Sequence, residues 1–309
     1  MRRQSGVALI TAILIMALVT TLIYSLEWDN SLDLRRTYVS MYREEAIQAA
    51  LGAESWMLMI LRQDLQDSTT DHLGEIWASE IPPLPLESDS IKGEIFGQLE
   101  DLQGRFNINN LIDANGVVDA DSLQQFRRLL GALGIDQRFA GIAADWLDAN
   151  QIAEFPDGAE DSIYSGIVPP YRTANQIVSS ASELAALEGM DKATFDTLLP
   201  HIAALPGRTR INVNTATGPV LQSLDENITV ADVERLLAER AENGFADITA
   251  AFSSLNLSPA ALNQIGVTTD YFRLKVIVRI DTVRITYFSV LMRGARGNVS
   301  PILRSLGTT

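Results

Sequence analysis

Between Arg3 and Glu27 no residue is charged, and this one run constrains the fold more than anything else in the chain. Residues 7–26, VALITAILIMALVTTLIYSL, would span about 30 Å as a helix, the thickness of a bilayer's hydrocarbon core. A cleavable secretory signal has a shorter apolar region and a small-x-small cleavage site. Here the run ends in YSLEWDNSLDL, which offers no such site. Arg2 and Arg3 precede it, so the N-terminus is expected to stay cytoplasmic with the bulk of the chain outside. Residues 27–67 then contain no proline and a single glycine, Gly52. Apolar or small residues recur at Leu34, Tyr38, Met41, Ala46, Ala49, Ala53, Trp56 and Ile60, the spacing of one helical face. The two stretches read as one continuous helix of about sixty residues, roughly 90 Å long. Its first half is apolar all round and its second half on one side. A subunit that sits first in lipid and later in a bundle of like helices needs that pattern; a plain anchor with a coiled stalk shares it.

The remainder is acidic. Lys and Arg total 24 against 39 Asp and Glu, a net charge of −15 over 309 residues. Such a surface repels phosphate backbones and suits cations, so nucleic acid is not an expected partner. With no cysteine there are no disulfides and no thiolate metal or redox sites. His72 and His201 are isolated and read as surface or capping residues. No nucleophile elbow, zinc-protease helix, P-loop or dinucleotide fingerprint occurs, and GEIFGQLEDLQG lacks the spacing of a phosphate loop. The chain is not expected to be an enzyme.

Three segments read as strands: Ile91–Asp101, Tyr271–Ile280 and residues 283–292. In the second, Phe272, Leu274, Val276, Val278 and Ile280 alternate with Arg273, Lys275 and Arg279, and Asp281-Thr282 makes a hairpin connection. About 170 mostly helical residues separate the first strand from this hairpin, too many for a loop, and so must form a domain of their own. Within it, a helix opens at Asp121-Ser122 and stops at Gly134, and another covers residues 137–147. SELAALEGMDKATFDTLLPHIAALPG reads as helix, turn at Gly189, then helix up to Pro206. Thr229 and Asp232 cap a further helix that stops at a glycine, and residues 245–266 supply two short ones. These units are similar to helix-hairpin-helix or SAM-like modules. The hairpin neighbours Glu188, Asp191 and Asp196 face only Lys192, which favours packing over phosphate binding.

DWLDANQIAEFPDGAEDSIY concentrates Asp145, Asp148, Glu154, Asp157, Glu160 and Asp161 in twenty residues, with Asn150 and Gln151 as neutral oxygen donors. Crowded carboxylates repel one another, and a hard cation taking six to eight oxygens relieves the repulsion. The spacing is not that of an EF-hand. Zinc lacks cysteine or a histidine pair, and magnesium, which keeps its waters, ranks behind calcium. Composition alone leaves a solvated acidic loop and a cation site both open. Asp145 and Asp148 could be drawn as an acid–base pair, but so many carboxylates give no reason to single out two.

RQSG followed by VALITAILIMALVTTL resembles the class III leader of type IV pilin-like proteins. The resemblance implies cleavage after Gly6 by a prepilin peptidase and methylation of Val7, leaving 22 basic against 39 acidic residues, −17. Most members carry glutamate at the fifth mature position, where it pairs with the free amine of a neighbouring subunit; here Thr11 stands there. That departure is the habit of one subgroup, the K-type minor pseudopilins of type II secretion, whose subunit enters first and has no such neighbour. GRFNINNL, DWLDAN, DGAEDSIY, PPYRTANQ and LPGRTRINVNTAT look like signatures of that subgroup and occur in its order.

The family implies an α+β pilin-like fold, a long N-terminal helix and antiparallel sheet with a large helical domain inserted in the sheet. The expected division is leader 1–6, transmembrane segment 7–26, pilin-like 27–118, helical insertion 119–268 and C-terminal strands 269–309. It further implies an inner-membrane protein acting at the pseudopilus tip with I- and J-type minor pseudopilins, the major pseudopilin and the inner-membrane assembly platform. Calcium is implied in the helical domain, with Asp148, Glu154, Glu160 and Asp161 as ligands and Asp157 and Gln151 as further donors. The other readings are a membrane-tethered DNA-capture protein, a minor subunit of a true type IV pilus, and a calcium-dependent envelope hydrolase.

Overall fold

The computed structural model describes residues 5–88, 91–241, 243–294 and 297–307; the expected leader residues 1–4 lie outside them. Helix α1 runs unbroken through Ser5–Asp67, as the absence of proline requires. Residues 7–31 are all exposed. Further along, one face closes onto a core: Ala46, Ala50, Met57 and Leu61, at helical spacing, are buried.

They pack on a five-stranded antiparallel sheet ordered β1-β2-β7-β8-β9. Its strands are β1 (Ile81–Ser88), β2 (Ile91–Asp101), β7 (Tyr271–Ile280), β8 (Val283–Arg293) and β9 (Val299–Leu306). The alternation in β7 turns Phe272, Leu274, Val276, Val278 and Ile280 inward, all buried, and Asp281, at φ 50°, makes the turn into β8. Glu54 is the charged exception on the helix face. Its carboxylate accepts the Tyr287 hydroxyl at 2.6 Å and Arg304 Nη2 at 2.6 Å. Burial alone would push Glu54 up, but Arg304 and Tyr287 hold its carboxyl below the ordinary range. Two strands of this sheet escaped the sequence reading, β1 and β9. β1 carries Pro82, Pro83 and Pro85, and β9 carries Pro301. Both are edge strands, where a missing N–H is tolerated.

Between β2 and β7 lies the helical body. It comprises β3 (Phe106–Asn107), α2 (Ala120–Ala132), α3 (Phe139–Leu147), α4 (Asp161–Tyr164), α5 (Lys192–Leu198), β4 (Ile202–Ala203), β5 (Ile211–Asn212), α6 (Gly218–Ser223), α7 (Val230–Glu239), α8 (Ile248–Phe252), α9 (Pro259–Asn263) and β6 (Ile265–Gly266). Its core begins earlier than residue 119. Phe106 stacks on Phe126 with ring centroids 5.1 Å apart, and Ile108 and Leu111 are buried in the same cluster. The helix expected to run up to Pro206 ends at Leu198. Pro200 denies the next turn its N–H, and the chain passes through a 3-10 turn into β4.

The body is a repeat. β3 pairs in parallel with β4, and β5 with β6. Asn107 and Asn212 each accept the N–H two residues on, from Asn109 and Asn214. Asn109 then brackets the backbone of Val178, and Asn214 that of Phe245, each through its amide N–H and its oxygen. Buried amides satisfied on both sides fix register at little cost. The repeat is moored to the sheet by Asp101, which accepts the hydroxyls of Thr215 and Thr269 and the amides of Gln103 and Asn212.

Candidate functional site

Two regions carry the features singled out by the sequence. In the apolar half of α1, Thr11 donates its hydroxyl to Val7 O at 3.1 Å and Ala8 O at 3.0 Å. Thr20 and Thr21 bond back to Met16 O and Ala17 O in the same way. Every hydroxyl named here is thus satisfied within the helix, as a hydrocarbon environment demands. An 18-residue window of this helix reaches a mean hydropathy of 2.5, long and apolar enough to cross a membrane.

The second region is the acidic loop. α3 is wholly buried, and its last turn delivers Asp145 at 0 % exposure and, at its C-cap, Asp148 at 1 %. The chain turns through Phe155-Pro156 and folds back at Gly158. A Cβ there would stand 2.1 Å from Asp145 Oδ2 and 2.3 Å from Glu154 N, so only glycine fits. The Glu154 N–H donates to Asp145 at 3.0 Å. Asn150 donates to Asp148 from its backbone and its side chain. Asp161 accepts the Thr173 N–H at 3.0 Å and hydroxyl at 2.9 Å.

Glu160, 4 % exposed at the N-cap of α4, is the outlier. Both of its carboxylate oxygens are buried and neither accepts a hydrogen bond. Burial, together with Asp145, Asp148 and Asp161, pushes its carboxyl up to about 7. Asp145 is pushed up to about 6 by burial, Asp148 and Glu154, and Asp148 is raised by burial and Glu154. A carboxylate desolvated with no donor is what a hard oxygen-ligated cation compensates, so these residues fit calcium.

Of the residues expected as ligands, Asp148 and Asp161 lie near enough to Glu160 to raise its carboxyl, and Glu154 near enough to raise that of Asp148. Asp157 and Gln151 are exposed, and Gln151 only reaches Thr173 at 3.5 Å. Asp145, which neighbours Glu154, Asp148 and Glu160, is absent from the expected ligand set. Its signal was its place three residues before Asp148 at the end of an apolar helix. Among the described residues, the acidic trio whose ligand oxygens all lie within 4.8 Å of one another is a different one, Asp64, Asp71 and Glu75.

A long helix, bare and apolar at its start and packed against an antiparallel sheet beyond it, defines a membrane-anchored pilin-like subunit. Family models of type II secretion system protein K match residues 104–207 and 211–268. The type II secretion system protein K of Pseudomonas aeruginosa is 36 % identical over 99 % of the chain and 94 % of its own length. That of Aeromonas hydrophila is 30 % identical over 99 % and 97 %. In the crystal structure of the GspK-GspI-GspJ complex from the enterotoxigenic Escherichia coli type 2 secretion system, a chain 25 % identical superposes with a TM-score of 0.77, covering 89 % of this chain and all of that one. The chain belongs to the type II secretion system protein K family. Its one apolar N-terminal helix fits single-pass anchoring in the inner membrane. The family models begin at residue 104, where the core of the helical body begins, and divide it between its two Asn-x-Asn repeats.

Proposed function

We propose that this chain is the minor pseudopilin that initiates and caps the pseudopilus of a type II secretion system, assembling with I- and J-type minor pseudopilins. Residues 7–26 hold it in the inner membrane with the N-terminus cytoplasmic and the rest periplasmic. A prepilin peptidase removes the leader after Gly6 and Val7 is methylated, readying α1 to leave the lipid for the filament. The subunit serves assembly and catalyses no reaction.

The observation that carries this reading is the helical body seated on a pilin-like base whose apolar helix bears no carboxylate. A body of this bulk on the sheet obstructs stacking of another subunit above it. Thr11, bonded only within its own helix, offers no charge to an amine on a preceding subunit. The same complex, named for the Escherichia coli relative, supports the I- and J-type partners here. Calcium belongs to the reading as an ordering ion: Asp145, Asp148, Glu160 and Asp161, with Glu154, would hold it. It would supply the positive charge that lets α4 dock under α3.

Deletion of the gene in its own host tests the assignment. Exoproteins should accumulate in the periplasm while twitching and DNA uptake continue, and the full chain should restore export. Normal export, or loss of twitching or uptake instead, would favour a pilus or DNA-capture subunit.

A further inference from the structure

Where α1 ends and the helical body rejoins the sheet, three carboxylates converge. Asp64 comes from the last turn of α1, and Asp71 and Glu75 from the loop that follows. One ligand oxygen of each lies within 4.8 Å of the other two. The guanidinium among them is Arg293, at the end of β8, which pairs through Nη2 with Asp64 and through Nη1 with Asp71. The Thr269 N–H takes the other Asp71 oxygen at 2.7 Å.

Glu75 stands apart from this pairing. Its Oε2 accepts the Trp77 indole N–H at 2.6 Å and the His72 N–H at 3.0 Å. Its Oε1 is buried and accepts no hydrogen bond, on a side chain only 9 % exposed. His72 Nε2 is 3.9 Å away, beyond hydrogen-bond reach. Three negative charges therefore meet one fixed positive charge, leaving an excess of two in a desolvated site. An isolated buried carboxylate is costly unless something compensates it.

We infer that Asp64, Asp71 and Glu75 form a second cation site, for a hard divalent ion of the calcium class, with Arg293 as its fixed neighbour. A divalent ion cancels the excess of two. The donors are all oxygens, which suits calcium or magnesium rather than a softer metal. Its place gives it a role distinct from the acidic loop. Asp71 O also accepts the Asn212 amide, and Arg293 anchors β8. An ion here therefore clamps the long helix, the sheet and the root of the helical body at one neck.

The test uses the full chain in a non-ionic detergent, carrying Asp148→Asn and Glu160→Gln so that the acidic loop is out of play. Terbium is the probe, excited through tryptophan. Trp77 donates its indole N–H to a proposed ligand, so an ion at the neck is within its close range. Saturable terbium emission is expected, displaced by calcium and weakened at least tenfold by Glu75→Gln. In Trp77→Phe the emission should collapse while calcium still raises the melting temperature. No saturable emission, or emission that survives Glu75→Gln, overturns the site. So does a melting temperature that ignores calcium between pH 6 and 8, which would leave a shared proton as the compensating charge.

Discussion

Replacing Glu160 by glutamine should stabilise the calcium-free protein at pH 8 and destabilise the calcium-loaded one. The reversal follows from where the side chain sits. Its carboxyl is held at about 7 against an ordinary 4.5, so ionising it in the fold costs about 3 kcal/mol at 1.36 kcal/mol per unit. Glutamine keeps a desolvated amide in place and removes only the charge, so about 1–2 kcal/mol of that should be recovered. For a chain of this size that is a rise in melting temperature of roughly 2–3 °C. The sign with pH is fixed. A carboxyl raised in the folded state carries no penalty below its ordinary value, a growing one from about 4.5 to 7, and the full one above. The gain should therefore vanish near pH 4. In saturating calcium the substitution removes a ligand and should lower the melting temperature. Thermal unfolding of full-length protein in chelator and in calcium, at pH 4 and pH 8, reads all four corners. Destabilisation in chelator at pH 8 would mean instead that the buried charge is already compensated by the protein.

Three further outcomes follow from the same geometry. Gly158→Ala should weaken calcium binding at least tenfold by calorimetry with the helix content unchanged by circular dichroism, since its Cβ would collide with Asp145 Oδ2 and Glu154 N. Glu54→Ala should cost about 2–3 kcal/mol in urea unfolding, less than a fully buried pair because the Arg304 side chain is half exposed. Glu54 is held low in the fold, so that difference is present above the ordinary glutamate range and shrinks as pH falls below it. Gly52→Ala, where a Cβ meets nothing within 4 Å, should stabilise α1 by about 0.5–1 kcal/mol and leave export intact.

The parts of the fold governed by local rules were legible in the sequence. α1 needed only the absence of a breaker, and β7 and β8 only a period of two. Edge strands obey neither rule. β1 is paired along one side alone, so its prolines disguised it without unfolding it. Longer-range contacts left still less trace. Asp145 joins the acidic loop because Gly158 lets the Glu154 backbone reach it. Arg293 meets Asp71 across 222 residues of sequence. The asparagines of GRFNINNL and RINVNTAT were visible as motifs, but their equivalence appears only once each is seen bracketing a helix start far along the chain.

The most direct test of the account is native mass spectrometry of the full-length chain co-expressed with the I- and J-type minor pseudopilins of its own secretion system. One copy of each in a single complex is expected, with Val7 as a methylated N-terminus. A chain that stays alone, or associates only with itself, would contradict the assignment at its centre.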